Sequence, residues 1–177
     1  MRGGYSMTPQ DLDRLHEALI ARPGFETVPR DALAPMAQKG LAHDHVVIEG
    51  TGALLRVPRQ SQFALPAKEN LDYQLAGFAR CAAGGHAPRP HGACPPSKAV
   101  PMGAAIVDHI EGRPARLPGD LPALAECLAS IHTLPVPDPE CRPPLADHRN
   151  PVAGTLSSSK SRRCSSTRPA GTGTRAA

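Results

Sequence analysis

Aromatic side chains are scarce: the 177 residues hold three Phe, two Tyr and no Trp. Stacking platforms of the kind that bind single-stranded nucleic acid therefore have few side chains to build on. Acidic residues are absent after Asp147, and the five cysteines form no C-x-x-C pair and are odd in number. Free thiols in a reducing compartment are the simple expectation. The N-terminus, MRGGYSMTPQ, lacks the apolar run of a signal peptide. No stretch approaches the roughly 20 apolar residues of a membrane span, so the expected location is the cytoplasm. His-x-Asp occurs nowhere.

What is abundant is proline, at 21 residues, with 16 Gly beside it. Both favour many short elements over long helices. The net charge of +4 is unevenly placed: residues 1–147 carry −2 and the last 30 carry +6. The body is near neutral and gives no case for nucleic acid. With few aromatics, its core must be built from Leu, Val, Ile and Ala.

The chain is organised around Val46–Arg59, VVIEGTGALLRVPR. Val46–Ile48 is β-branched and reads as a strand. Gly50 and Gly52 make a hairpin turn, not a dinucleotide fingerprint, because a strand follows where a helix should. Ala53–Val57 is the return strand, limited by Pro58. It carries one cation, Arg56, out of an apolar run.

Upstream, residues 1–6 read as a loose leader, and either Met1 or Met7 can be the start. Thr8-Pro9-Gln10-Asp11 opens a helix with a cap, a proline at the first position and an acid at the positive end. Leu12, Leu15, Leu19 and Ile20 follow at helical spacing, and Arg22-Pro23-Gly24 stops it. Residues 23–40 read as a loop. His43-Asp44-His45 puts two imidazoles on one side of a strand, which suits either a metal site or, more plainly, a polar strand entry.

Downstream, Pro66 opens a helix with the stripe Leu71, Leu75, Phe78. Its first turn holds Glu69, which can pair with the strand cation or simply complement the helix dipole. The helix runs out at Gly84-Gly85. His91–Cys94 is a short strand closed by Pro95-Pro96, and Gly103–Ile110 is a clearer one. Asp120 caps a last helix, with Pro122 in its first turn and the stripe Leu121, Leu124, Leu128, Ile131. Residues 135–147 are a Pro-rich linker. From Thr155 on, Ser, Thr and Arg dominate, and Leu156 is the last large apolar residue. Such a segment buries too little surface to offset chain entropy and is expected to be disordered. It suits either a basic arm or an aberrant, frameshifted end.

This order of elements resembles the N-terminal lobe of the aminoglycoside phosphotransferase and choline kinase family, which has a protein-kinase-like fold. GALLRVPR resembles the family's phosphate-facing strand, KENLDYQLAGFAR the helix after it, and APRPHG the connector to the next strand. AAIVDHIEGRP is similar to the strand and hinge, and LPALAECLASIHTLPVP to the helix after the hinge. The likeness covers roughly residues 38–137. It implies an α+β fold: an antiparallel sheet with a packed helix, a hinge and the start of a helical lobe. The division it suggests is 1–37 (helix and loop), 38–112 (lobe and hinge), 113–150 (start of the second lobe) and 151–177 (tail).

The resemblance implies ATP as the ligand. Arg56 would face its phosphates and Glu69 would hold that cation. Val46 and Ile106 would wall the purine, and backbone groups near Asp108, His109 and Ile110 would meet its edge. The backbone around Lys39–His45 would cover the phosphates. Phosphoryl transfer asks mainly for charge neutralisation and positioning, which such a pair supplies. The family's chemistry, however, uses a His-x-Asp loop and a metal-binding Asp in a second lobe. Neither is present in these residues, so the expectation is a truncated lobe without catalytic or Mg²⁺-binding groups. It would bind nucleotide weakly and be inactive alone. A pseudokinase-like interaction module is the alternative. A lobe without its partner would also expose the face that includes helix 121–132 and self-associate.

Overall fold

A computed structural model describes residues 7–37, 42–61 and 63–138. The chain divides into two units between Pro135 and Val136, and all the regular elements among the described residues lie in the first. The fold is α+β, with three helices and a five-stranded antiparallel sheet.

Helix α1 spans Pro9–Ile20. Thr8 and Asp11 form a reciprocal capping box, the Asp11 amide donating to Thr8 Oγ1 at 3.2 Å and the Thr8 amide to Asp11 Oδ2 at 3.0 Å. The stripe Leu12, Leu15, Leu19 is buried, while Ile20 is half-buried. Residues 23–40 were expected to be a loop. Instead they contain a 3₁₀ turn, Arg30–Ala32, and an edge strand β1, Leu33–Pro35. Three residues ending in proline show no period, and Pro35 is tolerated because the strand lies at the sheet edge.

Strands β2 (His43–Ile48) and β3 (Ala53–Pro58) form the hairpin. Gly50 and Gly52 adopt φ of +77° and +69°, which side-chain-bearing residues rarely do. Sheet order is β1-β2-β3-β5-β4, with β4 at Pro90–Cys94 and β5 at Ala104–Asp108. Strand β5 is shorter than Gly103–Ile110: Gly103 turns at φ +67° before it, and one more bond, from the His109 amide to the Gly52 carbonyl, follows its last residue. Helix α2 is Ala67–Ala82 and α3 is Leu121–His132. Asp120 does not cap α3; its carboxylate instead accepts from the Arg113 guanidinium at 2.7 and 3.0 Å and from the Arg116 amide at 2.7 Å.

Strand alternation sorts the core into two faces. Val46, Ile48, Ala53, Leu55 and Ile106 join the α1 leucines and Val100. On the other face Leu54, Ala105 and Val107 meet Leu71, Leu75 and Phe78 of α2. The sheet is therefore packed on both sides, a three-layer arrangement that buries both alternating sets. No helix among the described residues is long and apolar enough to cross a membrane.

Candidate functional site: a cation under helix α2

Arg56 pairs in register with His45 on β2 and Ala105 on β5. Cross-strand partners share a face, so its side chain rises from the α2 side of the sheet. There the guanidinium carbon sits 5.5 Å from the centroid of the Phe78 ring, a cation–π distance. Arg56 Nη2 donates to His43 Nδ1 at 3.2 Å. That contact requires an imidazole lone pair, and His43 is held neutral: burial first, and the Arg56 charge second, lower its pKa to about 4. Burial and Arg56 also lower His45.

A cavity of about 190 Å³ opens beside this group, lined by His43, Arg56, Phe63, Asn70, Tyr73 and Gln74 among others. Phe63 meets Tyr73 edge-on at 5.3 Å. Two buried donors at the cavity have no hydrogen-bond partner, Arg56 Nε and Asn70 Nδ2, while Gln74 lies within hydrogen-bonding reach of His43. Among the described residues, no carboxylate pairs with Arg56. Burial alone lowers its pKa. The site is thus a half-buried cation among neutral groups, with donors left over.

The expected pairing of Arg56 with Glu69 is not made. The reason is helix phase. Glu69 lies two residues before Leu71, about 200° round the helix from the stripe that packs on the sheet. Asn70 is 3% exposed and buried toward the sheet, and Gln74, one turn on, shares its side. The position facing the cation carries amides where the resemblance implies an acid. The same wheel, applied to the sequence, would have found Asn70 and Gln74.

Val46 and Ile106 are fully buried in the α1-side core, on the opposite face from Arg56. They therefore do not line the cavity. The apolar residues that share the Arg56 face of the hairpin are Val47 and Leu54, which are opposite each other in register. Parity with Arg56 makes Leu54 legible in the sequence; Val47 needs the register, which the turn sets.

At the end of β5, the Asp108 and His109 amides are both engaged, with Arg89 and Gly52 carbonyls respectively. The Asp108 carboxylate accepts from the Arg89 amide at 2.9 Å, Arg89 Nε at 3.2 Å and His91 Nε2 at 2.6 Å. The Arg89 amide, then His91, hold its pKa down to about 2. Ile110 is 62% exposed, and among the described residues its backbone makes no such bond. Lys39 and its neighbours to 41 lie outside the described residues, so phosphate cover there rests on sequence alone.

His43 and His45 do share a face, with ring centroids 6.4 Å apart. The Arg56 guanidinium lies between strand neighbours there, and a second cation beside it is disfavoured. Among the described residues no group of three or more His, Cys, Asp or Glu could hold a metal. Cys81, Cys94 and Cys127 are free thiols.

A larger cavity, about 360 Å³, lies on the α1 side between Met7, Leu15, Val57, Val100 and Met102. Its polar wall is a bidentate ion pair, Arg59 donating to Asp44 at 2.6 and 3.0 Å. Sequence reasoning placed no site there.

The geometry predicts a titration. In Arg56→Ala, the His43 pKa rises from about 4 but stays below its ordinary value, because burial is the larger cause. Imidazole NMR shifts against pH measure it, and an unchanged midpoint would mean that the cation does not act on this ring.

Comparison with protein-family models, with curated proteins and with solved structures finds no match for this chain.

Proposed function

We propose that residues 38–137 form a nucleotide-binding lobe of the small-molecule phosphotransferase type, with Arg56 as the group that meets phosphate. One observation carries this reading: Arg56 is a half-buried cation whose charge no carboxylate offsets among the described residues, and whose Nε donor is unused. A desolvated charge without a counter-ion gains more from an anion than a solvated one does. The neutral His43 and the amides of Asn70 and Gln74 leave that charge intact for a ligand. The element order supports the same reading, since a hairpin, a helix over the cation-bearing face, two further strands and a helix follow one another as in that family.

In this reading the triphosphate approaches Arg56, while Val47 and Leu54 supply apolar surface for the base in place of Val46 and Ile106. Backbone groups of Ile110 are the ones left to meet its edge. The absent acid has a consequence for the role: the guanidinium is in contact with His43 and the Phe78 ring, which hold it less tightly than a carboxylate would. With no His-x-Asp in these residues, they bind nucleotide without transferring the phosphoryl group. Transfer would require a base and Mg²⁺ ligands from elsewhere.

Thermal shift tests it with three probes: ATP, inorganic tripolyphosphate and adenosine. Ligand at ten times Kd stabilises by about 1.4 kcal/mol, a shift of a few degrees for a unit of this size. ATP and tripolyphosphate are expected to raise Tm in the wild type and to lose most of that effect in Arg56→Ala. A shift with adenosine alone, or one that Arg56→Ala leaves unaltered, would sink the assignment of phosphate to Arg56.

A further inference from the structure

On the reading that Arg56 meets phosphate, we propose that Asn70 is a second ligand-binding residue. Together they hold a single phosphate group inside the cavity under α2, and the rest of the ligand stays outside.

Asn70 is 3% exposed, and its Nδ2 donor has no hydrogen-bond partner. It lines the same cavity as Arg56. A buried donor left unmade is costly, and native structures keep few of them. The neighbouring polar groups are already engaged. His43 takes Arg56 Nη2 at 3.2 Å and lies within reach of Gln74. Two buried donors remain, Arg56 Nε from strand β3 and Asn70 Nδ2 from helix α2. Both are N–H groups and one carries a charge, so the complementary group is an oxyanion. Asn70 also stands in the first turn of α2, where the backbone dipoles favour negative charge. The adjacent acid, Glu69, does not line the cavity.

Size selects the ligand further. The cavity holds about 190 Å³, below the roughly 300–1,000 Å³ of pockets that enclose a whole drug-sized molecule. A phosphate group fits in it and a nucleoside does not. The terminal phosphate of a nucleotide therefore enters, with sugar and base outside, and inorganic phosphate presents the same chemistry. The amide at residue 70 is what makes this an anion site. A carboxylate there would offset the Arg56 charge itself and turn acceptors toward the cavity in place of a donor. Asn70→Asp has nearly the same shape, so it exchanges that property alone.

Titration of the full chain with inorganic phosphate at constant ionic strength tests this, by heteronuclear NMR and calorimetry. In the wild type the Asn70 side-chain amide and Arg56 Nε–H signals are expected to move together on one binding curve, and ATP to move the same two. Asn70→Ala should weaken phosphate at least about 10-fold, the loss of one charge-assisted hydrogen bond. Asn70→Asp should weaken it at least about 100-fold, since a like charge replaces the donor. The wild-type signals decide the matter even where a variant folds poorly. Arg56→Ala separates the two claims. Phosphate binding that is lost in Arg56→Ala but keeps its wild-type affinity in both Asn70 variants would overturn the role of Asn70 and leave that of Arg56 standing. An affinity that Arg56→Ala leaves unaltered would overturn both. A still Asn70 signal at about 10 mM phosphate, or ATP binding that moves other signals only, would also sink the proposal.

Discussion

Replacing Leu55 with Ala is expected to lower the unfolding free energy by about 3–4 kcal/mol, within the range for large-to-small changes at rigid core sites. Leu55 is 0% exposed and lies on the central strand. Its register partners Val46 and Ile106 are also fully buried. Both belong to hydrogen-bonded neighbours, so the sheet cannot close on the space left behind. The α1 leucines above are held by a capped helix, and the void remains largely empty. Leu54→Ala, one residue away, should cost only about 1–2 kcal/mol, because that side chain is half-buried and gives up less apolar contact. Urea unfolding of the two variants, with unchanged slopes, measures the difference. The comparison also reports on the site: Arg56 shares the face of Leu54. A greater loss at Leu54 than at Leu55 would exchange the two faces of β3 and place Arg56 under α1.

That parity explains how much was legible in the sequence. The elements themselves were, because each carries a local signal: the Thr8–Asp11 box for α1, Gly50 and Gly52 for the hairpin, and Leu71, Leu75 and Phe78 for α2. The three-residue β1 was not, since its place comes from pairing Leu33–Pro35 with Val46–Ile48 and nothing in its own composition. Arg56 stood out as a lone cation in an apolar strand, and the structure places it at a cavity. The residues around it were harder. The resemblance implies Val46 and Ile106 as walls, yet alternation puts them on the other face. Glu69 looks like a partner by charge, yet helix phase carries it away and brings Asn70 and Gln74 in. Chemical type was readable from single positions; direction needed strand and helix periods applied together, plus a register that only the turn fixes.

Gly103→Ala should be the most costly of the turn substitutions, at about 2–5 kcal/mol, and for two separable reasons. Gly103 has φ of +67°, where a Cβ costs about 1–2 kcal/mol. A Cβ there would also lie 2.8 Å from the Cys94 carbonyl oxygen and 2.9 Å from Leu71 Cδ2. Leu71 can turn aside, but the Cys94 carbonyl cannot, because Cys94 is paired with Ala104 in the β4–β5 ladder. Relief has to come from opening the turn, which pulls Val100 from the α1-side core and adds about 1–3 kcal/mol. Gly50→Ala isolates the first term: its φ is +77°, and nothing lies within 4 Å of its Cβ position. The difference between the two losses in urea unfolding therefore measures the clash. A chemical readout accompanies it. Cys94 is 0% exposed, and burial pushes its thiol up to about 11, so it should resist alkylation in the wild type. Opening the turn exposes it. Mass spectrometry of the labelled Cys94 peptide should show faster modification in Gly103→Ala than in Gly50→Ala. Equal losses in both variants, with Cys94 still protected, would mean that the β4–β5 turn absorbs the methyl group by bending at Pro95-Pro96 while the ladder stays closed.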